Sequence, residues 1–237
     1  MIHSLFTKEE LDEIMPSSKT ETQSETQSET QYNLGILHHN LCQNLMFTSN
    51  YQMPIVNPID CPIPKRIVAY YRTTTGKYQD YVPHFYTNDT NIELVWKNPY
   101  KFIERFTNKY SYVIGTDFSV YAELLFAQKI WNIFRNKLLV ALWQYYGINV
   151  IPNISWINEN YILSFEGWPK HSVIAVNSTG VGNSDRCKAM WIEGYNKMIE
   201  FLQPTHIIRY GAKIEGENEY ISTYFPNDNL IFARYGR

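Results

Sequence analysis

Two carboxylates stand where a chain of this kind would place its chemistry. Asp117 closes the run Tyr112-Val-Ile-Gly-Thr-Asp117, with Ser119 two residues on; Glu166 closes Tyr161-Ile-Leu-Ser-Phe-Glu166, with Trp168 two residues on. Each follows a short apolar segment that reads as a β-strand. In parallel α/β sheets, functional side chains gather at the carboxyl ends of the strands. Brought together there, Asp117 and Glu166 form a general acid and base, or two oxygen ligands for a metal ion. Asp117 also fits the N-cap of the helix that follows it, and Glu166 a solvated loop carboxylate.

The other strand ends are polar as well. Ser119 lies beside Asp117. Asn153, Ser155 and Trp156 follow Ile148–Ile151, and Asn177, Ser178 and Thr179 follow Ser172–Val176. Tyr210 ends His206–Tyr210. On a parallel sheet these side chains share one rim and are candidate ligand-binding residues. Asn132, Arg135 and Asn136 add a strip on the long helix. Asn is a poor interior helix residue, so the strip either faces the rim and bonds a ligand or forms a solvent-facing stripe. The loop Asn177-Ser-Thr-Gly-Val-Gly-Asn-Ser184 precedes a helix N-terminus, where free N–H groups and the dipole favour an anion. It lacks the Gly-Lys-Ser/Thr of a P-loop, and Asp185 stands where a dinucleotide fingerprint needs its third Gly. Phosphate binding and an ordinary turn capped by Ser184 both remain open. The histidines have no metal-like spacing, and neither Gly-x-Ser-x-Gly nor His-Glu-x-x-His occurs. No cofactor or metal is named by these residues.

Alternating strands and helices must position this rim. The spacing predicts helices over Asn98–Asn108, with Pro99 in the first turn, over Ala122–Tyr146, stopped by Gly147, and over Asp185–Leu202, stopped by Pro204. Ile92–Trp96 is ambiguous between helix and strand. Strands are expected at Arg66–Arg72, Tyr112–Gly115, Ile148–Ile151, Tyr161–Phe165, Ser172–Val176, His206–Tyr210 and Leu230–Tyr235, with a short extended piece at His84–Tyr86. The alternation predicts an α/β fold with a mainly parallel sheet of repeated βα units, barrel-like or open, in a single domain over residues 32–237. Pro54, Pro58, Pro62 and Pro64 predict an extended surface arm ahead of the first strand. Residues 1–31 form a separate N-terminal segment. It holds a short helix over Ile2–Met15 and a flexible linker over Thr20–Gln31, where Ser-Glu-Thr-Gln recurs without an apolar residue.

Composition narrows the function classes. The 237 residues are 44% hydrophobic, with 21 Lys+Arg against 23 Asp+Glu, a formal charge of −2. Global disorder is excluded, and so is wholesale coating of nucleic acid, which needs a basic excess. A local patch at Lys65, Arg66, Arg72 and Lys77 is the candidate for nucleic-acid contact. Three cysteines without a C-x-x-C pair make neither a disulfide framework nor a zinc ribbon. No signal-peptide pattern and no long apolar run occur, so the expected setting is a reducing cytoplasm without a membrane. Partners and oligomeric state are not specified.

A series of short motifs recurs in order: His84-Phe-Tyr-x-x-Asp89, Val95-Trp96-x-Asn98-Pro99, Asp117-Phe-Ser-x-Tyr121, Trp131-Asn132-x-x-Arg135-Asn136, Val150-Ile-Pro152, Ser155-Trp156, Phe165-Glu-Gly-x-Pro169, Ser178-Thr-x-Val-Gly182 and Tyr210-Gly211. Over roughly Tyr81–Gly211 it resembles an uncharacterised family encoded by phages, plasmids and integrated elements of Gram-positive bacteria and their wall-less relatives. The resemblance implies a mobile-element origin and a shared fold, and assigns no catalytic residue. The residues themselves point to an enzyme or ligand-binding protein with its site on the rim. A hydrolytic or phosphoryl-related reaction is the natural use of carboxylates beside an anion loop. The competing class is a non-catalytic module that binds nucleic acid or a host protein.

Overall fold

The structure, a computed structural model, describes residues 37–74, 78, 80–107 and 109–227. The chain divides into two units between Asn44 and Leu45. In the first, the described residues form one 3-10 turn, His39–Cys42. The expected helix Ile2–Met15, the Ser-Glu-Thr-Gln linker and the strand Leu230–Tyr235 lie outside the described residues.

The second unit holds seven described strands: β1 (Ile67–Ala69), β2 (Val82–His84), β3 (Val113–Ile114), β4 (Val150–Ile151), β5 (Val173–Asn177), β6 (His206–Tyr210) and β7 (Ser222–Phe225). All pairings between them are parallel: β1 with β2, β3 with β4, and β5-β6-β7 in that order. A parallel bridge from Asn153 to Ala175 ties the end of β4 to β5. The expected parallel α/β pattern is present, in three short sheets with no closed barrel among the described residues. One apolar cluster draws on every strand, with Ile67, Ile114, Ile151, Ala175 and Ile208 buried and Val82 and Phe225 packed against them.

Among the described residues, five α-helices lie between the strands: α1 (Asp89–Lys97), α2 (Pro99–Thr107), α3 (Phe126–Tyr145), α4 (Tyr161–Phe165) and α5 (Asp185–Leu202). The ambiguous run Ile92–Trp96 is helical because Ile92, Val95 and Trp96 fall on one buried face at helical spacing. Tyr161–Phe165, expected as a strand, is instead a single helical turn. Asn160 decides this by capping it, its Oδ1 accepting the Leu163 N–H at 2.9 Å. Five apolar residues are too few for periodicity to tell the two apart. The long helix starts at Phe126, later than Ala122, and ends as expected at Gly147, whose φ of 82° suits a residue without a side chain. Strand β1 stops at Ala69 and passes into a 3-10 turn, Tyr70–Thr74. Strand β7 was not anticipated, since Ser222-Thr-Tyr-Phe225 lacks an apolar pattern and is fixed by pairing with β6. The proline-rich arm lies at the surface with one side turned inward: Asn57, Pro58, Asp60 and Pro62 are exposed. Met53, Val56 and Cys61 are buried along it, and Ile59 accepts the Val173 N–H at 3.1 Å, so the arm runs beside the start of β5.

Candidate functional site

The loop after β3 carries Asp117, and α3 holds that loop in place. Asn136 is fully buried. Its Oδ1 accepts from Thr116 Oγ1 at 3.0 Å and from Phe118 N at 2.8 Å, while its Nδ2 donates to Phe118 O at 3.1 Å. Asn132 donates to Ser119 O at 2.7 Å. Arg135 lies 3.7 Å above the Phe118 ring, pairs with Glu93 and donates to Asn132 Oδ1 at 2.6 Å. The helix strip is therefore buried, and the solvent-facing alternative is corrected. A mid-helix Asn is tolerated because it replaces the hydrogen bonds that an irregular loop cannot make with itself. From α1, Asp89 accepts from the Ser119 hydroxyl at 2.9 Å and closes the loop on its other side.

The carboxylate so placed sits between two side-chain amides. Asp117 Oδ1 accepts from Asn153 Nδ2 at 2.9 Å, and Oδ2 accepts from Asn177 Nδ2 at 2.8 Å. Asn153 is itself oriented by the Tyr86 hydroxyl, which donates to its Oδ1 at 3.0 Å, and by its own bond to Thr116 O at 3.1 Å. Tyr86 stacks on Tyr210 at 4.4 Å. Asn177 is oriented by the Thr179 N–H at 2.8 Å. The residues come from the carboxyl ends of β2, β3, β4 and β5, so one rim does assemble. Burial pushes the Asp117 carboxyl above its usual range; the Asn177 and Asn153 amides oppose this, and Asp89 adds to the rise. Burial, reinforced by Asp117, also drives the Tyr86 phenol well up. Asp117 does not cap α3, whose N-cap is Leu125.

A cleft of about 450 Å³ opens beside Asp117. Its walls come from the loops after β3, β4 and β5, from Lys129 of α3 and from α5. Asp117, Ser119, Trp156, Asn177 and Thr179 of the expected rim all line it. Trp156 lies against α5 at Gly194, where an added Cβ would collide with the indole. Only glycine permits that approach. The Trp156 and Trp191 rings are 5.6 Å apart, and Trp191 donates from Nε1 to Asn177 O at 3.2 Å. The charged residues on the walls are Asp117, Glu123, Glu159 and Lys129. Lys129 Nζ is already bound to Glu159 at 2.7 Å.

Several expected residues lie elsewhere. Glu166 is the C-cap of α4 and is not a wall of the cleft. Its carbonyl, with that of Leu163, accepts from the buried Lys137 ammonium at 2.7 and 3.1 Å. The cleft thus does not join Asp117 to Glu166. Ser178 donates to Ala212 O at 2.6 Å, and Tyr210 donates to Asn227 Oδ1 at 3.2 Å; both fasten strand ends. Ser184 caps α5, its Oγ accepting the Cys187 N–H at 3.1 Å, as the capped-turn alternative requires. Tyr86, Lys129, Glu159 and Trp191 belong to the site without having been singled out. Tyr86 stood in the motif series, but Trp191 read only as one of α5's apolar residues. Among the described residues there is no group of three or more His, Cys, Asp or Glu able to hold a metal, and no helix is long and apolar enough to cross a membrane. All three cysteines are free thiols.

Residues 45–225 match the family described as Domain of unknown function (DUF4417). The chain is 27% identical over 179 residues to the Gene 1 protein of Mycobacterium phage L5, spanning 73% of this chain and 76% of that protein. To the Gene 1 protein of Mycobacterium phage D29 it is 25% identical over 179 residues, spanning 73% of this chain and 64% of that one. No solved structure matches significantly. These relatives agree with the resemblance to a phage-encoded family.

Proposed function

This chain belongs to the DUF4417 family, and we propose that it binds a small molecule in the cleft at the carboxyl ends of β3, β4 and β5. The observation that carries this reading is the Asp117 carboxylate. It is oriented by two amides, each itself oriented by a second bond, and it lines a cleft with a tryptophan wall. The volume falls in the range of small-molecule sites, and the mix of apolar walls with a few fixed polar groups is typical of them. In this reading Asp117 is the recognition group, Trp156 the stacking surface and Thr179 a rim contact. Asn153, Asn177, Asn132 and Asn136 act through Asp117 or its loop as positioning residues. The apolar cluster fed by all seven strands supports a barrel-like course for them, which would make this the end where such folds carry their sites.

The test is a thermal-shift panel of amines, sugars, nucleosides and nucleotides, with tryptophan fluorescence as a second readout. A binding compound should quench tryptophan emission and lose its effect in both Asp117→Asn and Trp156→Leu. If every compound that stabilises the wild type stabilises both variants equally, the cleft is not the binding site.

A further inference from the structure

Resting on the cleft reading above, we infer that the ligand is an organic cation whose guanidinium or ammonium group lies between the Asp117 carboxylate and the Trp156 ring. Three carboxylates and one lysine line the cleft, and that lysine is already bound to Glu159. Asp117 has no ion-pair partner among the described residues. Its two hydrogen bonds come from neutral amides, and each oxygen keeps a second lone pair. A half-buried carboxylate without a counter-charge is an unfavourable arrangement that an incoming cation relieves.

The aromatic wall suits the same ligand. Trp156 has its back against α5 at Gly194. Tryptophan is the best aromatic partner for a cation, and the attraction grows as water is excluded. A bare metal ion is poorly served, since the described residues offer no cluster of three ligands. A phosphate is served worse. The Thr179 N–H in the loop after β5 is taken by Asn177, the Cys187 N–H in the first turn of α5 by Ser184, and the surrounding carboxylates repel an anion. The same carboxylates weigh against the hydrolytic or phosphoryl-related chemistry expected of the rim.

The raised Asp117 carboxyl supplies a second, independent signature. Binding a cation requires the charged carboxylate, so affinity should fall as acid protonates it. The groups facing it that also titrate or carry charge are Asp89 from α1, Tyr86 after β2, Glu123, the Lys129–Glu159 pair and Cys187 of α5.

Calorimetric titration of the full chain with agmatine, which carries a guanidinium and an ammonium, tests the inference against cytidine, glucose and cytidine 5′-monophosphate. Agmatine should bind at least about tenfold more tightly than the neutral compounds, and the monophosphate should bind most weakly. Asp117→Asn should weaken agmatine by about tenfold or more, and the wild-type affinity should drop as the pH is lowered from neutral into the acid range. If Asp117→Asn fails to fold, Glu123→Gln with Glu159→Gln takes its place and should lower agmatine affinity while leaving cytidine unchanged. Preferred binding of a neutral or phosphorylated compound, lost in Trp156→Leu, overturns the cation and leaves the cleft reading standing. Binding of agmatine that survives all these changes, or no agmatine binding at all, overturns the cation as well.

Discussion

Two ionic sites neighbour Trp191, and the protein treats them differently. In one, Arg209 and Glu217 form a sealed pair, with side chains 1% and 0% exposed and 2.6 Å apart. Glu217 also accepts from Ile214 N at 3.1 Å and Tyr224 Oη at 2.6 Å, and Arg209 lies 4.3 Å over the Trp191 ring. In the other, Asp117 is held only by amides and faces a cleft. A buried charge is tolerated when geometry and extra hydrogen bonds offset its desolvation. Glu217 meets that condition inside the protein. Asp117 does not: its two bonds come from neutral amides, and no counter-charge pairs with it among the described residues.

The sharpest way to break this contrast is Glu217→Ala. It strands the Arg209 guanidinium without its counter-charge, and the expected loss is about 3–5 kcal/mol, read as a lowered urea midpoint. An equally large loss in Asp117→Ala would make the two sites alike. Next in size is Gly194→Ala, which pushes the Trp156 indole off α5. A stability loss of about 1–3 kcal/mol is expected, with a change in tryptophan emission. Unchanged emission would mean that Trp156 does not rest on that backbone. Trp191→Phe removes the hydrogen bond to Asn177 O and leaves a smaller ring beneath Arg209, and should cost about 1–2 kcal/mol, with ligand binding falling more than stability does.

The smallest effect concerns Asp117 itself. Because its folded carboxyl titrates above the ordinary 3.8, the folded state holds this proton to higher pH than the unfolded chain. Its contribution favours folding in acid and is lost as pH rises from 3.8 through the folded value. Asp117→Asn should flatten that part of the stability profile and leave neutral-pH stability level or slightly higher. Lys137 gives an opposite slope elsewhere. Burial lowers its ammonium to about 7, Glu166 opposing, so the unfolded chain binds more protons between that value and the ordinary 10.5. Stability should rise with pH across that window, and Lys137→Met should abolish the rise in urea melts at several pH values.

Strong local signals were legible in the residues alone. The helix Asp185–Leu202 and the strand His206–Tyr210 lie where spacing and the stop at Pro204 put them. Asp117, Asn153 and Asn177 were legible as strand-end polar residues because apolar runs of four or five residues ended just before them. The failures share a cause. Tyr161–Phe165 and Ser222–Phe225 are short, and their conformations are set by a cap from Asn160 and by pairing with β6.

What the sequence determined by itself is the long helices, the α/β alternation and the polar character of the strand ends, since each follows from local periodicity and residue type. What only the tertiary structure decided is which polar residues meet. Asn132, Arg135 and Asn136 turn inward to hold a loop, Glu166 lies away from the cleft on the end of α4, and Trp156 and Trp191 come from distant segments to wall the cleft. Such meetings depend on packing between residues far apart in the chain, as Asp117 and Asn177 show. No local pattern records which amide will reach which carboxylate.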